Sequence, residues 1–362
     1  MSLAARSPLE EEIGSLSAEE HLRAVLEWHF DERTGSPFWL RKRTELGFDP
    51  LRDITGLADL RRFPDVSAEL RTVPVDDLIP AGSKGRPVGV YESGGTLGAP
   101  KRIIESTSRA RSLAWVNSVL TDHDFPQGVH WLHIGPTGPH IVGRSMRLLA
   151  EMRGGICFTV DFDPRWVKRL IADGRRDEAD AYVQHVLDQA ELIVTHQRVG
   201  VLFITPPVLE ALCARPALHE RLTGRLGGLI WSGTSISAGT LRLVEEEYFP
   251  GTTVVGLYGN SLMGIAPQLP RDRYPAHRCV FRTHQPQSVV EVVDPQTGAR
   301  VPVGERGRVL VHLLSQDMFL PNVAERDSVV RAGTPEGAHG DDVADIRPYT
   351  PTAGTTVIEG VY

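Results

Sequence analysis

Ser93, Thr96 and Lys101 fall among Gly94, Gly95 and Gly98 in the stretch YESGGTLGAPKR, residues 91–102. Hydroxyls and loop amides donate hydrogen bonds, and a lysine supplies a point charge, so this mixture suits an anion such as phosphate. The preceding run Pro87-Val88-Gly89-Val90 is apolar and predicts a strand that opens into the loop. Two further polar turns follow apolar runs: Trp231-Ser232-Gly233-Thr234-Ser235 after GGLI, and Tyr258-Gly259-Asn260-Ser261 after TVVGL. His130, His133 and His140 lie close together in sequence around a Gly/Pro loop.

Several familiar chemistries fail on spacing. A Walker loop needs a glycine followed directly by Lys and Ser/Thr, whereas Gly98 is followed by Ala99-Pro100-Lys101-Arg102. The glycine fingerprint of dinucleotide-binding folds is absent. The run Gly259-Asn260-Ser261-Leu262-Met263-Gly264 is one residue too long for a serine-hydrolase elbow. The three histidines lack the spacing of a zinc site, and no residue is assigned as a metal ligand.

Elements of alternating type are expected to position these residues. Residues 17–31 predict a helix, with Ser17 and Glu20 at capping-box spacing and Leu22, Val25, Leu26 and Phe30 on one face. Strands are expected at residues 131–135, 155–162, 201–205, 227–233 and 253–259, with helices at 108–120, 177–193 and after Pro206. Such alternation predicts a parallel α/β architecture. From about residue 285, SVVEVVDPQTGARVPVGERGRVLVHLL reads as short antiparallel strands joined by turns, and the last stretch carries little periodicity. The expected division is an α/β core over 1–285, its first part to about 85 helical, and a β-rich subdomain and tail over 286–362.

The chain has 362 residues, 41% hydrophobic and 23% charged, with a net charge of −7. That charge gives no footprint for nucleic acid. No apolar run reaches the roughly 18 to 20 residues that span a bilayer. Three scattered cysteines, Cys157, Cys213 and Cys279, read as buried thiols in a reducing cytoplasm. Only four lysines occur, and none follows Lys168.

ESGGTLGAPK resembles the phosphate-binding loop of the adenylate-forming enzymes (acyl-CoA synthetases, adenylation domains, luciferases), usually written SSGTTGKPK. Three further segments resemble the family's motifs in the family's order: Trp231–Ser235, an adenine-pocket loop; Tyr258–Leu262, the YG-x-S/T-E motif; and Asp294–Gly298 with Gly304–Val309, a structural signature. Residues 46–70 are similar to the phenylacetate–CoA ligase branch, which acts on aryl carboxylates. The resemblance covers about residues 35–330. It implies the large N-terminal domain of these enzymes, mixed sheets flanked by helices plus a small β-rich subdomain.

By this resemblance, ATP is bound with Mg²⁺. Ser93, Gly94, Gly95, Thr96 and Lys101 would hold its phosphates, with Thr96 and Lys101 the catalytic candidates. Ser232, Gly233, Thr234, Gly259, Asn260 and Ser261 would line the nucleotide site, Tyr258 would stack on adenine, and Asp327 would accept from ribose, in preference to Asp341. His133, Ile134, Gly135, His140 and Trp231 would shape an aryl-acid pocket.

Three departures accompany the resemblance. The family's Mg²⁺-binding acid is Leu262 here, the ribose motif is degraded, and the C-terminal lid domain with its lysine is not expected after Tyr362. Truncated relatives of this kind resemble the aryl-acid adenylating enzymes of phenazine and benzoxazole antibiotic pathways. The expected activity is adenylation of an aryl acid to acyl-AMP and pyrophosphate, with transfer to a small acceptor or a partner protein. The alternatives are a non-catalytic aryl-acid or adenylate binder and an aryl-CoA ligase completed in trans. A homodimer is a further expectation.

Overall fold

The computed structural model describes residues 16–93 and 99–349. Its first strands, β1 (Gly89–Glu92) and β2 (Arg102–Glu105), form an antiparallel hairpin that carries the glycine-rich loop. The loop residues 94–98, including Gly94, Gly95 and Thr96, lie outside the described residues.

A six-stranded sheet follows from β3 (His130–Gly135), β4 (Cys157–Asp161), β5 (Val199–Ile204), β6 (Gly228–Ser232), β7 (Thr253–Asn260) and β8 (Gly264–Pro267). The strand order is β4-β3-β5-β6-β7-β8, parallel except for β8. Its inner strands are largely apolar and buried, as in Val201-Leu202-Phe203-Ile204, the pattern of a parallel sheet covered on both faces. Order reverses between β3 and β5, and crevices that take ligands form beyond the carboxyl ends of strands in such sheets. The helix Ile141–Met152 crosses from β3 to β4, and Pro164–Ala172 and Arg176–His196 lead from β4 to β5.

A five-stranded antiparallel sheet takes β9 (Val280–Phe281), β10 (Ser288–Val293), β11 (Arg306–Leu314), β12 (Phe319–Gly333) and β13 (Asp342–Pro348) in the order β10-β11-β12-β13-β9. The hairpin β10–β11 matches the sequence expectation. Strands β12 and β13 run through a stretch that carries little periodicity, because bulges break the two-residue alternation. Against β11, Ala324 and Ser328 are paired while the three residues between them face only Val309.

The N-terminal helices hold β12 in place. Ser17 and Glu20 form the capping box of helix Ala18–Phe30, whose Leu22, Val25, Leu26 and Phe30 are buried. Phe30, Trp39 and Phe63 pack around Phe319, and Trp39 Nε1 donates to the Phe319 carbonyl at 2.9 Å. Further along, Asn322 sits in the left-handed region (φ 58°) and donates to the Phe63 carbonyl at 2.7 Å. The Ala324 amide donates to Asp65 at 3.2 Å. These contacts fix the strand immediately before Glu325-Arg326-Asp327.

The three cysteines are unpaired and half-buried rather than fully buried. Among the described residues, no helix is long and apolar enough to cross a membrane.

Candidate functional site

The ends of the glycine-rich loop are tied together. The Ser93 amide donates to the Lys101 carbonyl at 2.9 Å, and the Lys101 amide donates to Ser93 Oγ at 2.9 Å. Ser93 Oγ thus accepts the bond that closes the loop, and a hydroxyl that accepts still has its O–H to donate. The Lys101 ammonium donates to Ser67 Oγ at 2.8 Å. Burial lowers the Lys101 pKa, and Glu325 and Asp65 oppose that fall.

Across from this loop, two sheets meet. The Tyr258 hydroxyl, near the end of β7, donates to Asp327 Oδ2 on β12 at 2.8 Å. Burial raises the Asp327 pKa, against the pull of Tyr258 and Arg326. The Tyr258 ring lies 6.0 Å from Phe281, tilted by 61°. Trp231 stands edge-on to the same Phe281. Gly256 lets Trp231 lie across β7, since a Cβ there would come within 2.6 Å of the indole.

The turn after Tyr258 has little room. Gly259 has φ 153°, and a Cβ would sit 1.9 Å from the Gly264 carbonyl oxygen, so only glycine closes the β7–β8 hairpin. Asn260 Oδ1 accepts from the Leu262 and Met263 amides at 2.8 and 2.9 Å. Ser261 Oγ donates to the Glu92 carbonyl at 3.4 Å, linking the turn to β1. The Leu262 side chain is buried in the main core.

At the end of β6, Ser232 Oγ donates to the Leu257 carbonyl at 2.8 Å, Gly233 is left-handed (φ 93°), and Thr234 Oγ1 is buried with no partner. Ser232, Gly233 and Thr234 thus follow the strand adjacent to the one that carries Tyr258.

The residues expected around an aryl pocket are more enclosed. His133 is fully buried, stacked on Phe203 with centroids 4.6 Å apart, and its Nε2 meets the Pro136 carbonyl at 3.2 Å. Burial pulls its pKa down to about 4, so the ring is neutral at pH 7. Ile134 is packed in the core, and Gly135 abuts the His133 ring. His140 precedes the helix Ile141–Met152. It is 7% exposed, its Nε2 is buried without a partner, and burial followed by Arg165 lowers its pKa. Trp231 Nε1 is likewise buried and unpartnered. His140 and Trp231 therefore keep donor or acceptor capacity, as does His133 through a buried, unpartnered Nδ1, whereas Ile134 is enclosed in the core.

Asp341, the other candidate for ribose, is buried in the β-rich sheet. It accepts from Arg300 Nε at 2.9 Å, Arg331 Nε at 2.6 Å, Thr334 Oγ1 at 2.8 Å and the Val292 amide at 3.0 Å. Nothing is left over for a ligand.

Sequence reasoning missed Glu325, Ser67 and Asp65. Glu325 stands two residues before Asp327, a spacing that puts side chains of a regular strand on one face. That spacing was the available signal. Ser67 and Asp65 become visible only through their contacts with Lys101 and with β12. Lys168 also lies near this side of the molecule: burial and Arg326 bring its pKa down to about 8. Among the described residues, no group of three or more His, Cys, Asp or Glu side chains is arranged to hold a metal ion.

No family model matches the chain, and no curated protein matches it in sequence. Solved structures do match. 2-Hydroxyisobutyryl-CoA ligase, in an open conformation with 2-HIB-AMP and CoA, is similar at 19% identity with a TM-score of 0.64, over 95% of this chain and 72% of that one. The same ligase in its postadenylation state with 2-HIB-AMP gives 19% identity and a TM-score of 0.65, over 95% and 70%. The described mixed sheets and flanking helices have the fold of the N-terminal domain of adenylate-forming enzymes.

Proposed function

We propose that this protein is an ATP-dependent ligase that adenylates an aryl carboxylic acid. One substrate carboxylate oxygen attacks the α-phosphorus of ATP. A new P–O bond forms, the bond to the β-phosphate oxygen breaks, and pyrophosphate leaves. The protein's part is to position the reactants and to place donors and charge around the phosphates. Mg²⁺ would offset the charge of the polyphosphate.

The observation that carries the reading is the contact between Tyr258 and Asp327. The hydroxyl of an aromatic side chain and a carboxylate from two different sheets meet at 2.8 Å near the end of a parallel strand. A nucleoside needs that pair: a flat apolar surface for the base, and an acceptor for ribose hydroxyls. Lys101 and Ser93, at the neck of the glycine-rich loop, supply the phosphate end. The fold shared with 2-hydroxyisobutyryl-CoA ligase supports the same assignment. His140 Nε2 and Trp231 Nε1 are the free polar atoms best suited to a ring substituent or carboxylate of the acid. The aryl class rests on the resemblance of residues 46–70 to the phenylacetate–CoA ligase branch.

Pyrophosphate release tests the reading, with ATP, Mg²⁺ and a panel of benzoate-, anthranilate- and phenazine-type acids, without CoA. Release that depends on one acid is expected. The second reading is a non-catalytic nucleotide or acid binder, favoured by the burial of Leu262 where the family resemblance expects an acid. Silence across the panel, with ATP still bound in calorimetry, would establish that second reading.

A further inference from the structure

Glu325 is a carboxylate with one oxygen left unfilled. Its Oε1 is buried and accepts no hydrogen bond. Burial and the neighbouring Asp327 charge raise its pKa, while Lys101, a hydrogen bond with Asn260 and Arg326 oppose the rise. The Lys101 ammonium is hydrogen-bonded to Ser67 and attracts Glu325 electrostatically. Glu325 and Asp327 thus share one corner of the site, and among the described residues no arginine forms an ion pair with either, although Arg326 acts on both.

The backbone holds this corner in place. Arg308 donates through Nε to the Glu325 carbonyl at 2.7 Å and through Nη2 to the Ala324 carbonyl at 3.2 Å. The Tyr349 amide donates to the Arg326 carbonyl at 2.6 Å. Bulges commonly re-aim a side chain at the edge of a site. This one starts beside Asp65, which also binds the Ser67 amide, and Ser67 holds Lys101 at the neck of the glycine-rich loop.

Other acids nearby are already engaged. Glu92 is held by Arg102 at 3.3 Å and Arg165 at 3.1 Å. Asp65 accepts from the Ser67 and Ala324 amides. Position 262, where the resemblance expects an acid, is a core leucine. Mg²⁺ bound with a nucleotide commonly takes one or two protein carboxylates, the substrate's phosphates and water, so one such acid is sufficient.

We infer that Glu325 is the protein carboxylate that binds the divalent cation accompanying the nucleotide's phosphates. It takes the role that Leu262 cannot fill. This inference rests on the nucleotide reading above.

Calorimetry with α,β-methylene-ATP, a non-cleavable analogue, tests it on the full chain in Mg²⁺ and in EDTA. Mg²⁺ is expected to tighten binding to the wild type by about tenfold or more. Glu325→Gln should bind the analogue in EDTA as well as the wild type does, and gain less than about twofold from Mg²⁺. A full Mg²⁺ gain in Glu325→Gln overturns the inference and leaves the nucleotide reading standing. Absence of analogue binding by the wild type under both conditions overturns both. Glu325→Cys adds a readout that damage to the fold cannot imitate. A thiolate prefers softer metals, so Cd²⁺ should tighten analogue binding more than Mg²⁺ does. No Cd²⁺ preference would count against Glu325 as a ligand.

Discussion

Two acidic corners of one β-sheet behave in opposite ways. At Asp341, just before β13, Arg300, Arg331, Thr334 and a backbone amide surround a fully buried carboxylate. At Glu325 and Asp327, on the β12 bulge, the partners are one tyrosine hydroxyl, the Asn260 side chain and the electrostatic influence of nearby side chains. The bulge corner is connected to the first by direct strand pairing, since Asp327 lies opposite Pro348 on β13. A carboxylate whose acceptor sites are filled by arginine holds the fold together. A carboxylate left short of donors raises the energy of the empty protein, and a bound ligand or cation can recover it. Counting partners therefore separates structural acids from binding acids where sequence spacing cannot.

The largest effect should come from the saturated corner. Asp341→Ala strands Arg300 and Arg331 and leaves the Val292 amide unpaired, at a cost of about 3 to 5 kcal/mol in folding stability. Urea unfolding measures it. A loss no greater than that of Asp327→Asn would remove the distinction between the corners. Asp327→Asn should act on binding instead. Removal of a charged acceptor to ribose costs about 1.5 to 3 kcal/mol of nucleotide affinity, roughly ten- to a hundredfold. Folding stability should hold or rise, because burial disfavours that charge. Calorimetry with a nucleotide analogue, beside urea unfolding, reads both.

Acid should separate the corners by sign. Asp327 has a folded pKa above its ordinary 3.8, raised by burial. Its charged form costs stability at neutral pH, and that cost disappears as pH falls through the raised value toward 3.8. Asp341 feels burial first, but Arg300, the Val292 amide, Arg331 and Thr334 together hold its pKa below 3.8. Its contribution is present above 3.8 and is lost as pH falls through the lower folded value. In the ligand-free protein, the stability gained by Asp327→Asn should shrink on acidification, and the stability lost by Asp341→Asn should shrink at still lower pH. Urea unfolding at stepped pH checks both trends, and the same sign of change for the two variants would contradict the assignment.

Parts of this arrangement were legible in the sequence, and the reasons differ by residue. Tyr258 was readable because it ends a continuous apolar strand and stands in a motif-like turn. Asp327 was readable from the Leu320-Pro321 that precedes it at nearly the spacing of the resembled motif. Strand β12 was not, because its bulges break alternation and its middle is charged. Glu325 went unread with it. His133 and Ile134 were expected to line a pocket; His133 is buried against Phe203 with its Nδ1 unpartnered, and Ile134 is packed in the core. The apolar run HWLHIG shows that a strand is buried, but its composition is the same whether a helix or a ligand covers it. The helix Ile141–Met152, which follows the PTGPH loop, was also unread.

The smallest effect tests whether Tyr258 and Asp327 act as one unit. Tyr258→Phe keeps the ring that would stack on a base and removes only the hydroxyl that donates to Asp327 Oδ2. A single hydrogen bond is worth about 0.5 to 1.5 kcal/mol, so nucleotide affinity should fall by about two- to tenfold. The sharper measurement is the double variant. If the hydroxyl matters by orienting the carboxylate, Tyr258→Phe should cost little once Asp327 is Asn, and the two losses should fail to add. Simple additivity would mean that each side chain meets the ligand independently. The contact between the two sheets would then be structural, and Asp327 would belong with Asp341.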